Sequence, residues 1–289
     1  MRRTGGALRV IYIHGFGGRS FDHSHAAVMR DVARDLYGGF AVETHPWQSG
    51  RISASVGREW REANRDAAAE AERLWTRLCA EPADQRVYLV GFSLGSLVAL
   101  RAVQGRGAEA EARVSGICLM GAAVPASYSF AGFPRLRRGV LNYYSPTIDG
   151  TLKRLFTVEE GLQAAGQVGF HEGFEGGPAV NLRVHKAHKL FGGYDQVARV
   201  IAQIVAHWEG KAGPRGLRHQ EKEDDWRGEV FWDEVYRRGP LLVQRWRVGL
   251  RWGGFRLVER HGASVRRIVT SDHVGPLLEQ LDRLYQAPA

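Results

Sequence analysis

A serine hydroxyl is a weak nucleophile at neutral pH unless a base takes its proton and a third group orients that base. Ser93 stands where such help could be used, in Gly91-Phe92-Ser93-Leu94-Gly95. An apolar run with β character, Val87 to Val90, leads in, and a run with helical character, Ser96 to Leu100, leads out. Gly-x-Ser-x-Gly between a strand and a helix is the pattern of a nucleophile elbow, which exposes the serine at the carboxyl end of a sheet. The glycines answer a steric need, because side chains two residues either side of the serine would collide where strand and helix approach. The helix start points the Leu94 N–H toward the space of a developing oxyanion.

A second oxyanion donor is expected from the loop after the first strand. Leu8 to Ile13 is a β-branched run ending at His14-Gly15-Phe16-Gly17-Gly18, where small residues let the backbone approach a ligand. The donor is expected to be Phe16 or Gly17, with His14 orienting the loop and not acting as a base. The serine's partners should follow in the order acid then histidine, each after a strand. Asp149 follows the strand ending at Tyr144, and His188 precedes the last helix of this part of the chain. Asp195 competes with Asp149, and His185 and His171 compete with His188. Asp149 also reads as a helix cap, a common use of aspartate.

These residues need a scaffold. Strand and helix alternate along the chain to about residue 210, with strands expected near 8–13, 40–44, 87–92, 114–120, 139–144 and 180–184. Helices are expected over 21–37, 55–80 and 194–208, with the helix after the elbow ending near Gly105 and another following from Thr151. Such alternation specifies an α/β fold with a mostly parallel sheet covered by helices on both faces. Residues 126–138, with Tyr128, Phe130 and Phe133, read either as a loop covering the substrate or as a packed connection. Residues 211–225 read as a linker. Residues 226–289 read as a small basic, aromatic-rich α+β domain. Its strands are expected over 241–250, 255–259 and 265–270, with turns at Gly253-Gly254 and Gly262 and a closing helix over 276–285. Trp226, Phe231, Trp232, Trp246, Trp252 and Phe255 are its expected core.

The elbow, its flanks and the order of Ser93, Asp149 and His188 resemble the α/β-hydrolase superfamily. A longer pattern is similar to one branch, the domain-of-unknown-function 726 family of hydrolase-like proteins. It is carried by Leu89 to Gly95, Leu119 to Pro125, Leu141 to Ser145 with Asp149 beyond, Glu160 to Gln163, and Val184 with His188 and Tyr194. The resemblance implies a Ser-Asp-His triad that maps onto Ser93, Asp149 and His188. This chain departs from the family in having Ala187 where a glycine precedes the histidine, and in lacking apolar helices before the core. The C-terminal appendage lies outside the resemblance.

The bulk properties bound the rest. With 289 residues, 44% hydrophobic and 10% aromatic, the chain can build a core. Cys79 and Cys118 read as buried thiols and favour a reducing compartment. The run Leu8 to Ile13 is too short for a signal segment, and no apolar run approaches a membrane span; a cytoplasmic location is expected. A formal charge of +9 admits an anionic membrane surface or a protein as partner for the C-terminal domain, while nucleic acid is disfavoured. Arg245, Arg247, Arg251, Arg256, Arg260, Arg266 and Arg267 could form a cationic face, or simply the wet side of a half-buried sheet. No phosphate loop, metal-ligand spacing or dinucleotide fingerprint occurs, so no cofactor is expected. The expected function is a serine hydrolase acting on a carboxylic ester, a lipid among the candidates. The alternative is a non-catalytic binding module attached through its basic C-terminal domain.

Overall fold

The computed structural model describes residues 8–17, 23–50, 56–82, 85–146, 152, 156–173, 177–185, 194–214, 231–248, 251–262 and 264–286. Its first part runs β1 (Leu8–Ile13), α1 (His23–Tyr37), β2 (Ala41–Thr44), α2 (Val56–Ala80), β3 (Arg86–Phe92), α3 (Gly95–Val103), α4 (Gly107–Arg113), β4 (Val114–Met120), β5 (Val140–Tyr144), β6 (Ala179–Arg183) and α5 (Asp195–Trp208). Helical turns at Val158–Glu160 and Ala165–Val168 interrupt the passage from β5 to β6. The six strands form one sheet in the order β2-β1-β3-β4-β5-β6, and every pairing in it is parallel.

Burial on both faces explains the unbroken apolar runs in the central strands. In β1, Val10 and Tyr12 join a core with α1 and α5, while Ile11 and Ile13 join one with α2 and α3. In β3, Tyr88, Val90 and Phe92 face the first core and Val87 and Leu89 the second. This is the period-two alternation of a strand, with both halves apolar.

The second part is an antiparallel sheet, β10-β9-β8-β7, made of β7 (Phe231–Arg238), β8 (Leu241–Val248), β9 (Arg251–His261) and β10 (Ser264–Ser271), closed by α6 (Val274–Gln286). Val235, Val243, Phe255 and Leu257 from this sheet and Leu277 and Leu281 from α6 belong to the same core as α1 and α5. The hydroxyl of Tyr143 on β5 donates to the Val235 carbonyl at 2.9 Å. The two sheets are thus joined by packing as well as by the chain.

Three expectations change. Residues 107–113 and 231–238, where the sequence pattern assigns no element, form α4 and β7. Gly253 and Gly254 lie inside β9, not at a turn; a Cβ on Gly253 would fall 1.5 Å from the Trp246 ring, so the strand needs glycine where that ring crosses it. The core of the second sheet is mainly aliphatic: Phe255 is buried, but Trp232 and Trp246 are only half-buried, and Trp226 lies outside the described residues. Residues 126–138 are a packed connection, with Phe130 in edge contact with Phe133 at 5.2 Å and Phe170 at 5.1 Å between ring centroids. Cys79 and Cys118 are free thiols, and burial pushes Cys118 up to about 12. Among the described residues, no helix is long and apolar enough to cross a membrane.

Candidate active site

From β1 the chain passes through α1 to β2 on one side and then, through α2, to β3 on the other. The order of the sheet therefore reverses between β1 and β3. Loops leaving the carboxyl ends of two such strands diverge and open a crevice, the usual ligand site of an open α/β sheet. The loop after β1 carries His14 to Gly17, and the turn after β3 carries Ser93.

Ser93 has φ +52°, the only positive φ at a non-glycine position among the described residues. Such a conformation costs of order 1–3 kcal/mol and persists only where surrounding contacts impose it. Here the Ser93 N–H donates to the Met120 carbonyl at 3.0 Å, and its own carbonyl accepts from Ser96 at 3.1 Å and Ala123 at 3.0 Å. The flanking glycines make the turn possible. A Cβ on Gly91 would lie 2.6 Å from the Ser96 Cα, and one on Gly95 would lie 2.2 Å from the Ile13 carbonyl oxygen. These are the collisions expected from the sequence pattern, and both involve backbone that cannot swing aside.

The loop after β1 closes directly on the serine. A Cβ on Gly15 would lie 2.7 Å from the Ser93 Cβ and 3.3 Å from its Oγ. His14 shapes this loop: it is buried, its Nδ1 lies 3.0 Å from the Gly15 carbonyl, and its ring stacks on Trp47 at 5.7 Å. The Trp47 indole N–H donates to the His14 carbonyl at 3.0 Å.

The fold is a six-stranded parallel sheet with helices on both faces, with a small antiparallel sheet and helix appended. No family model matches the chain, and no curated protein does. Solved structures do. A cutinase-like protein from Cryptococcus sp. is 13% identical, with 73% of this chain and 98% of that one covered at a TM-score of 0.42. An esterase from Pyrobaculum calidifontis is 15% identical, covering 73% and 79% at 0.40. A type II thioesterase of the yersiniabactin pathway is 15% identical, covering 72% and 96% at 0.40. At these values the likeness brings no activity with it.

Of the expected oxyanion donors, the Gly17 N–H donates to the Ser49 carbonyl at 3.2 Å. The amides of Phe16 and Leu94 have no partner among the described residues. The Phe16 ring meets Trp60 edge-on at 5.6 Å and covers Gly50, where a Cβ would fall 2.5 Å from it.

Asp149 and His188 lie outside the described residues, but their approaches do not. Ser145, following β5, is fully buried and its N–H donates to Gly166 at 2.9 Å. Val184, following β6, donates to the Tyr144 carbonyl at 2.8 Å. Both segments leave side by side from the carboxyl edge that carries Ser93. Asn142 secures this corner, donating to Ala165 and to Asn181, each at 3.0 Å.

Of the competing residues, Asp195 and His185 have partners among the described residues. Asp195, at the start of α5, lies 3.4 Å from the His25 Nε2, while the His25 Nδ1 meets the Tyr12 hydroxyl at 2.9 Å. The His25 ring abuts Phe92 at 4.8 Å. Spacing along the sequence could not reveal this Tyr12–His25–Asp195 chain, because its members come from three elements. His171 sits exposed in a turn. His185 bonds to Asp233 of β7 at 2.8 Å through Nδ1.

The arginines of the second sheet are largely engaged within the molecule. Arg245 donates to the Gly253 carbonyl and to Gln196, and burial lowers it to about 10, still charged at neutral pH. Arg256 lies over the Trp232 ring at 3.3 Å, Arg260 pairs with Glu234 at 3.1 Å, and Arg266 pairs with Glu259.

Proposed function

We propose that this protein is a serine hydrolase that cleaves a carboxylic ester, with a lipid ester among its substrates. Ser93 attacks the carbonyl carbon. His188 accepts the hydroxyl proton and returns it to the departing alcohol. Asp149 holds the imidazole in the required tautomer and stabilises its charged form. The Leu94 and Phe16 N–H groups receive the oxyanion, with Gly17 as the alternative to Phe16 if its bond to Ser49 is exchanged. Water, activated by the same histidine, then cleaves the acyl-enzyme.

The observation that carries this reading is the strained backbone of Ser93, held at the switch point of the sheet against Gly15. A connection whose only task was to join strand to helix would have no reason to hold that strain. The likeness of residues 87–197 to the domain-of-unknown-function 726 family is a further ground for choosing Asp149 and His188. The free thiols fit a reducing compartment, and we place the protein in the cytoplasm. The reading as a binding module with a cationic face is the weaker one, because Arg245, Arg256, Arg260 and Arg266 already have partners.

The test is covalent labelling by a fluorophosphonate together with hydrolysis of p-nitrophenyl esters over a range of acyl lengths. Wild type should label and turn over; Ser93→Ala should do neither. A folded wild type that takes no label, or equal labelling of Ser93→Ala, would remove the proposal.

A further inference from the structure

Three consecutive residues of β7 hold the ends of the two strands from which the proposed acid and base segments depart. The Asp233 Oδ1 accepts the His185 backbone N–H at 2.6 Å and faces its Nδ1 at 2.8 Å. The Glu234 Oε2 accepts the Arg183 N–H at 3.2 Å. The Val235 carbonyl accepts the Tyr143 hydroxyl at 2.9 Å. Asp233 is 4% exposed, and its described hydrogen bonds both go to residue 185. Its Oδ2 has no hydrogen-bond partner among the described residues. A buried carboxylate half satisfied in this way is costly, and attraction to the nearby Arg245 guanidinium offsets part of that cost. Such a group grips the donors it does have.

We propose that Asp233 is a positioning residue of the hydrolytic site: by fixing His185 it fixes the root of the segment that carries His188, so the appended sheet is a working part of that site. This rests on the assignment of Ser93, Asp149 and His188 made above. His185 is an anchor and not the base. It follows β6, three strands from β3. At about 4.8 Å per strand, the two strand ends are about 14 Å apart, more than a serine and an imidazole bridge from those positions. A residue three positions on, at up to about 3.5 Å per residue, has the length to turn back toward the serine on the way to α5. That segment starts at residue 185, and both the main chain and the ring of residue 185 are held by one carboxylate. The carboxylate fixes the Nδ1-protonated tautomer of His185 and with it the ring's orientation.

The experiment compares wild type with Asp233→Ala, Asp233→Asn and His185→Gln in the full chain. Each is followed by p-nitrophenyl ester kinetics, fluorophosphonate labelling rate, thermal melting and hydrogen exchange over residues 184–194. Asp233→Ala should lower kcat and the labelling rate by about 10- to 100-fold, the loss that misplacing a reacting group by about an ångström brings. KM should stay within about twofold, and exchange over 184–194 should quicken. Asp233→Asn, which keeps an acceptor oxygen, should recover most of the loss. If Asp233→Ala does not fold, His185→Gln cuts the same link from the other side and should show the same split between kcat and KM. Turnover and labelling within twofold of wild type in the folded variants would overturn the inference while leaving Ser93 as nucleophile. A wild type that neither labels nor hydrolyses would overturn both.

Discussion

Gly15 and Ser93 meet across the crevice between β1 and β3 so closely that a methyl group on the glycine would lie 2.7 Å from the serine Cβ and 3.1 Å from the Phe92 carbonyl oxygen. No rotamer change relieves a clash with a Cβ and a backbone oxygen, so either the loop or the elbow must move. Gly15→Ala should destabilise the protein by about 1–3 kcal/mol, the usual cost of overpacking. It should also slow fluorophosphonate labelling of Ser93 by about 100-fold. Thermal melting and labelling rate measure the two effects separately; a variant that melts and labels like wild type would show that the loop does not press on the serine.

The strain at Ser93 gives a second test, in which stability differs between two variants that both lack activity. A left-handed conformation costs a residue with a Cβ about 1–2 kcal/mol, and glycine escapes it. Glycine also gains about 0.4–1 kcal/mol of freedom in the unfolded chain, which works against it. Ser93→Gly should therefore be more stable than Ser93→Ala by about 0.5–1 kcal/mol, although neither labels. The comparison is made by denaturant unfolding of the two variants side by side. Equal stabilities would mean that the elbow is not strained at φ +52°.

How much of this was legible beforehand depends on where each signal lies. The six parallel strands were readable because both faces of β1, β3 and β4 are buried, which writes itself into the chain as continuous apolar runs. The elbow was readable because its glycines answer local collisions at Gly91 and Gly95, two residues from Ser93. α4 was missed: its seven residues, Gly-Ala-Glu-Ala-Glu-Ala-Arg from Gly107 to Arg113, bury only Ala110 and show no apolar stripe. Gly253 was misread because the reason for it, the Trp246 ring, comes from the neighbouring strand. The grip of Asp233 on His185 joins residues 48 apart in the chain, and the Tyr12–His25–Asp195 chain joins three elements. Nothing local marks either one. Asp149 and His188 lie outside the described residues.

A buried histidine–glutamate contact away from the crevice makes stability depend on pH. The His45 Nε2 lies 2.7 Å from Glu70, and both side chains are buried. Burial holds His45 below its ordinary 6.5, outweighing the pull of Glu70 in the other direction. The unfolded chain then takes up this proton at a higher pH than the folded one does. The contribution of His45 is fully present above about pH 6.5 and is lost as the pH falls toward the lowered folded value. Melting temperature measured from pH 8 to 5 should fall more steeply in wild type than in His45→Gln, whose amide can still donate to Glu70. Parallel curves would mean that this imidazole does not titrate differently in the two states.

The second sheet shares its core with the first, so the part before residue 211 should not stand alone. Val235, Val243, Leu257 and Leu277 are buried against the side of the parallel sheet that carries α1 and α5. Each such side chain, once exposed, removes about 1.5–3 kcal/mol, and a handful of them matches the whole stability of a typical domain. A chain ending at residue 210 would also leave the Tyr143 hydroxyl without its Val235 partner in a buried position. That truncated chain should be recovered insoluble, or as a compact state that binds an apolar dye and melts without a sharp transition. The single substitution Leu257→Ala isolates the same contact in the full chain and should cost about 2–5 kcal/mol. A truncated chain that is soluble, melts cooperatively and labels at Ser93 at the full rate would show that the parallel sheet needs nothing from the appended one, and would bring down the role given to Asp233 as well.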